Sequence, residues 1–140
     1  MEINKELLDA LTAQAMESPR LRMNYDLRTS DQDTSQRMLN ALVPGSIVPI
    51  HRHEDTSETV ICLRGNLWEI IFEEVYEYVE DGGDMTRRKG FRETERHRLC
   101  PAEGLYGIQI PANVWHTVEV IEPSVIFEAK DGAYKGDLQR

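Results

Sequence analysis

The chain has 140 residues, enough for one well-buried domain and short for two. Its 25 acidic and 16 basic residues give a formal net charge of -9, which opposes phosphate backbones and anionic membrane surfaces. Nucleic-acid and membrane-surface binding are therefore set aside. No apolar run approaches the roughly 20 residues that span a bilayer.

The opening "MEINKELLDALTAQAM" alternates charge with leucine and carries no apolar signal core, so a cytoplasmic protein is expected. Ile3, Leu7, Leu8, Leu11 and Ala15 recur at helical spacing, and Ser18-Pro19 ends the pattern. This predicts one amphipathic N-terminal helix. The stretch after it is polar and turn-rich and reads as a connecting loop as far as "RMLNALV", a strand covered on both faces. Residues 1–36 are thus expected to form a helix and loop packed on the domain made by residues 37–140.

From residue 43 onward, short strands are expected at about 46–51, 58–64, 66–73, 75–80, 94–99, 105–110, 115–121 and 124–130, separated by Gly, Pro or Asp turns. Regular short strands point to an all-β sandwich or barrel. Between two of them, "EDGGDMTRRKGFRETERHR" holds Arg87, Arg88, Lys89, Arg92, Arg96 and Arg98. This basic cluster at about 80–98 is either an anion-binding patch or the solvated tip of a hairpin, and an isolated charge run favours the tip. Cys62 and Cys100 lack CxxC spacing and fit small buried thiols in a reducing compartment, with a disulfide as the lesser alternative. Trp68 and Trp115 read as core, or as dimer interface in the case of Trp115.

The chemistry lies in "PGSIVPIHRHEDTSETVICLRG". Side chains alternate along a strand, so His51 and His53 share a face roughly 6.6 Å apart, and both imidazoles can reach one ion. Glu58 opens the next strand after a short loop, and antiparallel pairing would return its carboxylate to that face. His116 follows a Pro-Ala-Asn turn in which Asn113 tolerates the left-handed backbone. Three imidazoles and a carboxylate would leave one or two coordination positions open on a divalent transition metal. The histidine pair alone fits an exposed strand better than a metal site; its glycine frame makes the pattern specific.

Gly45, His51, His53, Glu58 and Gly65 reproduce the first cupin motif, G-x5-HxH-x4-E-x6-G, at every named position. The second motif is matched in part, by Pro111 and His116, with Asn113 and Val120 in place of its glycine and asparagine. Through "SPRLRMNY", "QRMLNALVPGS", "IPANVWHTV" and "EPSVIFEAKDGAY" the chain further resembles the WbuC family of cupin-fold metalloproteins. The resemblance implies an all-β cupin jelly-roll barrel with an N-terminal helix, and His51, His53, Glu58 and His116 as metal ligands in its mouth. It also implies a link to bacterial surface-polysaccharide (O-antigen) biosynthesis. The basic hairpin departs from that family.

Glu54, Asp55 and Gln109 stand close enough in sequence to receive the second ring N–H of a metal-bound histidine. Arg20, Asn24, Gln36, Arg37, Lys130 and Tyr134 either hold an anionic or sugar-like ligand or pin the flanking segments to the barrel. Lys130, Tyr134, Gln109 and Arg37 are the ligand-binding candidates. The metal is iron, manganese, nickel, cobalt or zinc, and the ligand set does not choose among them. The expected partners are a small sugar or nucleotide-sugar and a second copy of the chain. The expected role is binding or conversion of a sugar-related metabolite; the alternatives are an oxygenase or isomerase acting on another metabolite, or a non-catalytic binding cupin.

Overall fold

A computed structural model describes residues 1–133 and the backbone of residues 138–139. The N-terminal helix α1 spans Lys5–Glu17 and starts where the Asn4 side chain accepts the Leu7 N–H at 3.0 Å. It ends at Ser18, whose extended backbone precedes Pro19. Leu8, Leu11 and Ala15 are buried along one face, as the spacing predicts. Asn4→Ala removes the cap and is expected to lower stability by about 1 kcal/mol, measured by urea denaturation.

The strands are β1 (Arg22–Asp26), β2 (Ser35–Leu42), β3 (His51–Arg52), β4 (Glu58–Asp81), β5 (Asp84–Leu99), β6 (Gly107–Ile110), β7 (Trp115–Asp131) and β8 (Leu138–Gln139). Strands β4 and β7 are long and bend, and each contributes to both halves of the barrel. In one half the order is β1–β2–β7–β4–β6, with β7 paired to Ser35–Leu42 through residues 124–131. In the other, residues 115–122 of β7 lie between His51 of β3 and residues 66–72 of β4, with β8 and β5 beyond. Register shifts between Cys62 and Leu67 mark the bend in β4, where Gly65 has φ +113°.

Period-2 alternation separates two cores. Leu42, Val60, Cys62, Leu67, Ile71, Leu99, Ile110 and Ile126 fill the barrel interior. Leu39, Ala41, Val43 and Val125 face outward and bury the apolar face of α1. Strand β2 is therefore covered on both sides, as its composition predicts.

Four expectations change. The connecting loop contains β1, a short edge strand drawn into the sheet by pairing with β2 despite its polar sequence. The segments expected at 58–64, 66–73 and 75–80 form one continuous β4, and 115–121 with 124–130 form one β7, because bulges absorb the bends without breaking the chain's pairing. Residues 46–50 are not strand. The basic segment is strand β5, paired residue by residue with β4 to a two-residue turn at Gly82-Gly83, both of positive φ.

This ribbon is largely exposed and held by cross-strand partners: Arg92 pairs with Glu73, and Arg87 lies 3.6 Å over the Tyr76 ring. That places the basic residues on a solvated hairpin. Trp115 is buried on the outer face of the barrel, under Arg52 and against Phe91, with its Nε1–H donating to Glu74 at 2.9 Å. Trp68 also faces outward, half-buried with Arg96 over its ring, and is not core. Cys62 and Cys100 are buried and free. Among the described residues no helix is long and apolar enough to cross a membrane.

Candidate metal centre

Strand β3 is two residues long, and its His51 pairs in register with His116 of β7. The Asn113 turn has φ +68°, and its N–H donates to the His53 carbonyl at 2.7 Å, tying the loop before His116 to the histidine pair. His51, His53 and His116 thus converge, with one nitrogen from each ring lying within 4.8 Å of the others.

Two of the rings have their tautomer fixed by the backbone. A carbonyl can only accept, so His51 Nδ1–H donates to Pro49 O at 2.8 Å and His116 Nδ1–H to Val114 O at 2.9 Å. This directs the Nε2 lone pair of each ring away from the backbone, the usual arrangement of a metal-ligating histidine. Among the described residues, His116 Nε2 is buried with no hydrogen-bond partner.

Glu58 comes from the opposite half of the barrel. Its Oε2 lies 2.7 Å from His53 Nε2 and 3.7 Å from His116 Nε2. The expected pairing of its strand with the histidine strand does not occur: Glu58 pairs with Ile110 and Lys130, while His51 pairs with His116. The carboxylate reaches the imidazoles across the interior because β7 borders both halves. Burial alone would raise the Glu58 carboxyl, but the adjacent His116 and His53 rings, with the charge of Lys130, hold it well below the usual range. Burial alone would lower the His116 imidazole, and Glu58 raises it.

These features fit a divalent transition metal: three imidazoles, an ionised carboxylate and a buried, unpartnered Nε2. His51, His53, His116 and Glu58 would hold it. Lys130 Nζ lies 3.5 Å from His53 Nε2 and lines the same cavity. Gln109 lies on the exposed side of β6, bonded to Thr59 and Ser57. Arg37 pairs with Asp33 and the Ser35 carbonyl, away from the cavity, and Gln36 donates to the Gly132 carbonyl. The Arg37–Asp33 and Gln36–Gly132 contacts pin flanking segments to the barrel. Glu54 is exposed beside Arg52. Tyr134 lies outside the described residues.

The cavity beside the histidines measures about 100 Å³ and is also lined by Arg22, Asn24, Asn40, Glu69 and Glu128. Asn24 was a sequence candidate; Asn40, Glu69 and Glu128 were not, although a glutamate within "LWEIIF" and an asparagine within "RMLNALV" are polar interruptions of apolar strands. Glu69 is 2% exposed, and burial, reinforced by the charges of Glu58 and Glu128, pushes its carboxyl well above the ordinary value of 4.5. In the unfolded chain it ionises near that value, so above it the folded state holds more protons and wild-type stability falls as pH rises. Glu58, Glu128, His116, Arg22 and Lys130 line the same cavity and are common to both proteins when Glu69→Gln is compared with wild type. Without metal, the variant should gain on wild type by up to about 1.4 kcal/mol between pH 5 and 6, measured by urea denaturation. Parallel pH profiles would contradict this.

The family described as "Domain of unknown function (DUF6016)" matches residues 3–81. No curated protein sequence matches the chain significantly. Among solved structures, an oxalate oxidase in complex with the substrate analogue glycolate is similar at TM-score 0.58 and 13% identity, over 88% of this chain and 57% of that one. A cupin 2 domain-containing protein from Halorhodospira halophila is similar at 0.54 and 13%, over 85% and 70%. An oxalate decarboxylase from Bacillus subtilis, described for its Mn(II) centres, is similar at 0.52 and 19%, over 84% and 27%. The chain thus spans little more than half of the oxidase and about a quarter of the decarboxylase. At these identities the likeness shows the fold: an all-β cupin barrel with an N-terminal helix.

Proposed function

Because the chain belongs to the family described as "Domain of unknown function (DUF6016)", whose description names no chemistry, we propose a function from the site: a metal-dependent cupin that takes a small, sugar-related metabolite into its barrel. The observation that carries it is the convergence of three imidazole nitrogens within 4.8 Å, with Glu58 beside them and His116 Nε2 unpartnered. A bound divalent ion would supply Lewis acidity to an oxygen ligand. The chain's own groups would bind and orient that ligand: Lys130 offers a cation at the metal-side end of the cavity, and Val48, Val118 and Ile126 keep its walls apolar.

The likeness of the sequence blocks to the WbuC family supports a role in surface-polysaccharide assembly. The reduced, buried Cys62 and Cys100 fit the cytoplasmic setting that such a role has. A homodimer is part of the proposal, and light scattering on the purified chain tests it.

The test of function starts from untagged protein stripped by chelator. Addition of manganese, iron, cobalt, nickel or zinc should raise its stability, by about 2.7 kcal/mol at a hundredfold excess over the dissociation constant. A screen of sugar acids, sugars and nucleotide sugars against the loaded form then separates turnover from binding. If no ion shifts the unfolding transition, the reading fails.

A further inference from the structure

Moving inward along the barrel from the histidines, two polar side chains sit directly above the hydrophobic interior. Glu69 pairs with Val118, one inward-facing position deeper than the Ile71–His116 pair. Asn40 pairs with Ile126, two inward positions deeper than the Gln36–Lys130 pair. Both are more than nine-tenths buried, and both line the cavity that contains His51, His116 and Lys130. Among the described residues, each keeps a buried oxygen without a hydrogen-bond partner, Asn40 Oδ1 and Glu69 Oε2. Buried polar atoms of this kind cost stability unless something pairs with them, and because both residues line one cavity they point to an occupant there.

The geometry gives that occupant a chemistry. Asn40 Nδ2 donates to Glu128 Oε1 at 3.4 Å, which leaves Oδ1 as the acceptor that the amide still offers. Glu69, whose carboxyl is pushed toward its protonated form by burial and by the nearby charges of Glu58 and Glu128, adds an acid O–H as a donor. A hydroxyl group donates and accepts at once, and satisfies both. Around the cavity, the charges of Arg22 and Lys130 balance those of Glu58 and Glu128. A divalent ion then leaves the cavity positive, which favours an anion there.

We propose that Asn40 and Glu69 form a hydroxyl subsite, and that the cavity takes a small hydroxy acid with its carboxylate toward Lys130 and the histidines and its hydroxyl on the barrel floor. This rests on the metal-centre reading above. At roughly 10–15 Å³ for each water-sized group, a cavity of about 100 Å³ holds a compact ligand of several heavy atoms. A nucleotide sugar would leave its nucleotide outside.

The test is calorimetric titration of manganese-loaded wild-type protein with D-lactate, D-glycerate and propanoate, which share the carboxylate and differ in hydroxyl groups. At least one hydroxy acid should bind about tenfold more tightly than propanoate. Glu69→Gln, which keeps a donor, should retain that preference within about threefold, whereas Glu69→Leu and Asn40→Leu should lose it at unchanged manganese content. Equal binding of the hydroxy acids and propanoate by loaded wild-type protein overturns the subsite. So does a preference that survives in both folded leucine variants, since the metal alone would then be reading the hydroxyl. Failure of the wild-type protein to load manganese, or any of the other four ions, overturns the metal-centre reading and the subsite with it.

Discussion

Replacing His116 with alanine should lower affinity for a divalent transition metal by more than about 100-fold, beyond the 10- to 100-fold loss usual for residues that only orient a ligand. The imidazole is nearly fully buried, and its Nδ1–H is held by Val114 O at 2.9 Å, so Nε2 needs no rearrangement to bind an ion. Its removal takes away a preorientated donor that no neighbour replaces: Val118, the next inward-facing residue along β7, is apolar, and Lys130 is a cation. The loss also takes from Glu58 the first of the partners that keep it ionised, which weakens the remaining ligand set. Competition against a chelator of known affinity measures the effect, with circular dichroism confirming that the barrel is intact. A variant that binds within tenfold of wild type would place the ion elsewhere.

Gly65→Ala should be the costliest single methyl in the barrel. At φ +113° an L-residue is strained, and a Cβ there would lie 2.5 Å from Ser124 Cα, a backbone atom that cannot rotate away. Ser124 is locked in place: its Oγ accepts the Asn66 N–H at 3.0 Å and donates to the Glu122 carbonyl at 2.8 Å. This contact lets β4 and β7 bend together between the two halves, with Pro123 at the corner where no ladder bond is required of it. Backbone strain and overpacking each cost about 1–3 kcal/mol, so a total of roughly 3–5 kcal/mol is expected, a large share of a typical domain's stability. Gly82→Ala is the control: φ is +60° and no atom lies within 4 Å, so about 1 kcal/mol is expected. Urea denaturation compares the two, and equal costs would contradict this account of the bend.

The histidine site was legible because its signal is local. Period-2 alternation puts His51 and His53 on one face, and the Asn113 turn precedes His116 as asparagine's tolerance of positive φ suggests. Glu58 was identified by its spacing, although the route assigned to it was mistaken. Its neighbours are fixed by strands more than 50 residues away, which no local pattern encodes. The same non-locality hid β1, whose partner β2 supplies the order its own sequence lacks. It also hid the floor of the cavity, since Asn40 and Glu69 come to line one cavity only when both halves of the barrel close. Their visible trace was a polar residue in the middle of an apolar strand, a pattern that marks either a surface face or a buried site depending on pairing.

The central claim is that this barrel holds an ion through His51, His53, His116 and Glu58. Elemental analysis tests it most directly, on untagged protein loaded with manganese, iron, cobalt, nickel or zinc and then dialysed, alongside the His51→Ala/His116→Ala double variant. The account predicts about one ion per wild-type chain and less than about a tenth of that in the folded variant. Wild-type protein that retains no more metal than the variant would contradict it.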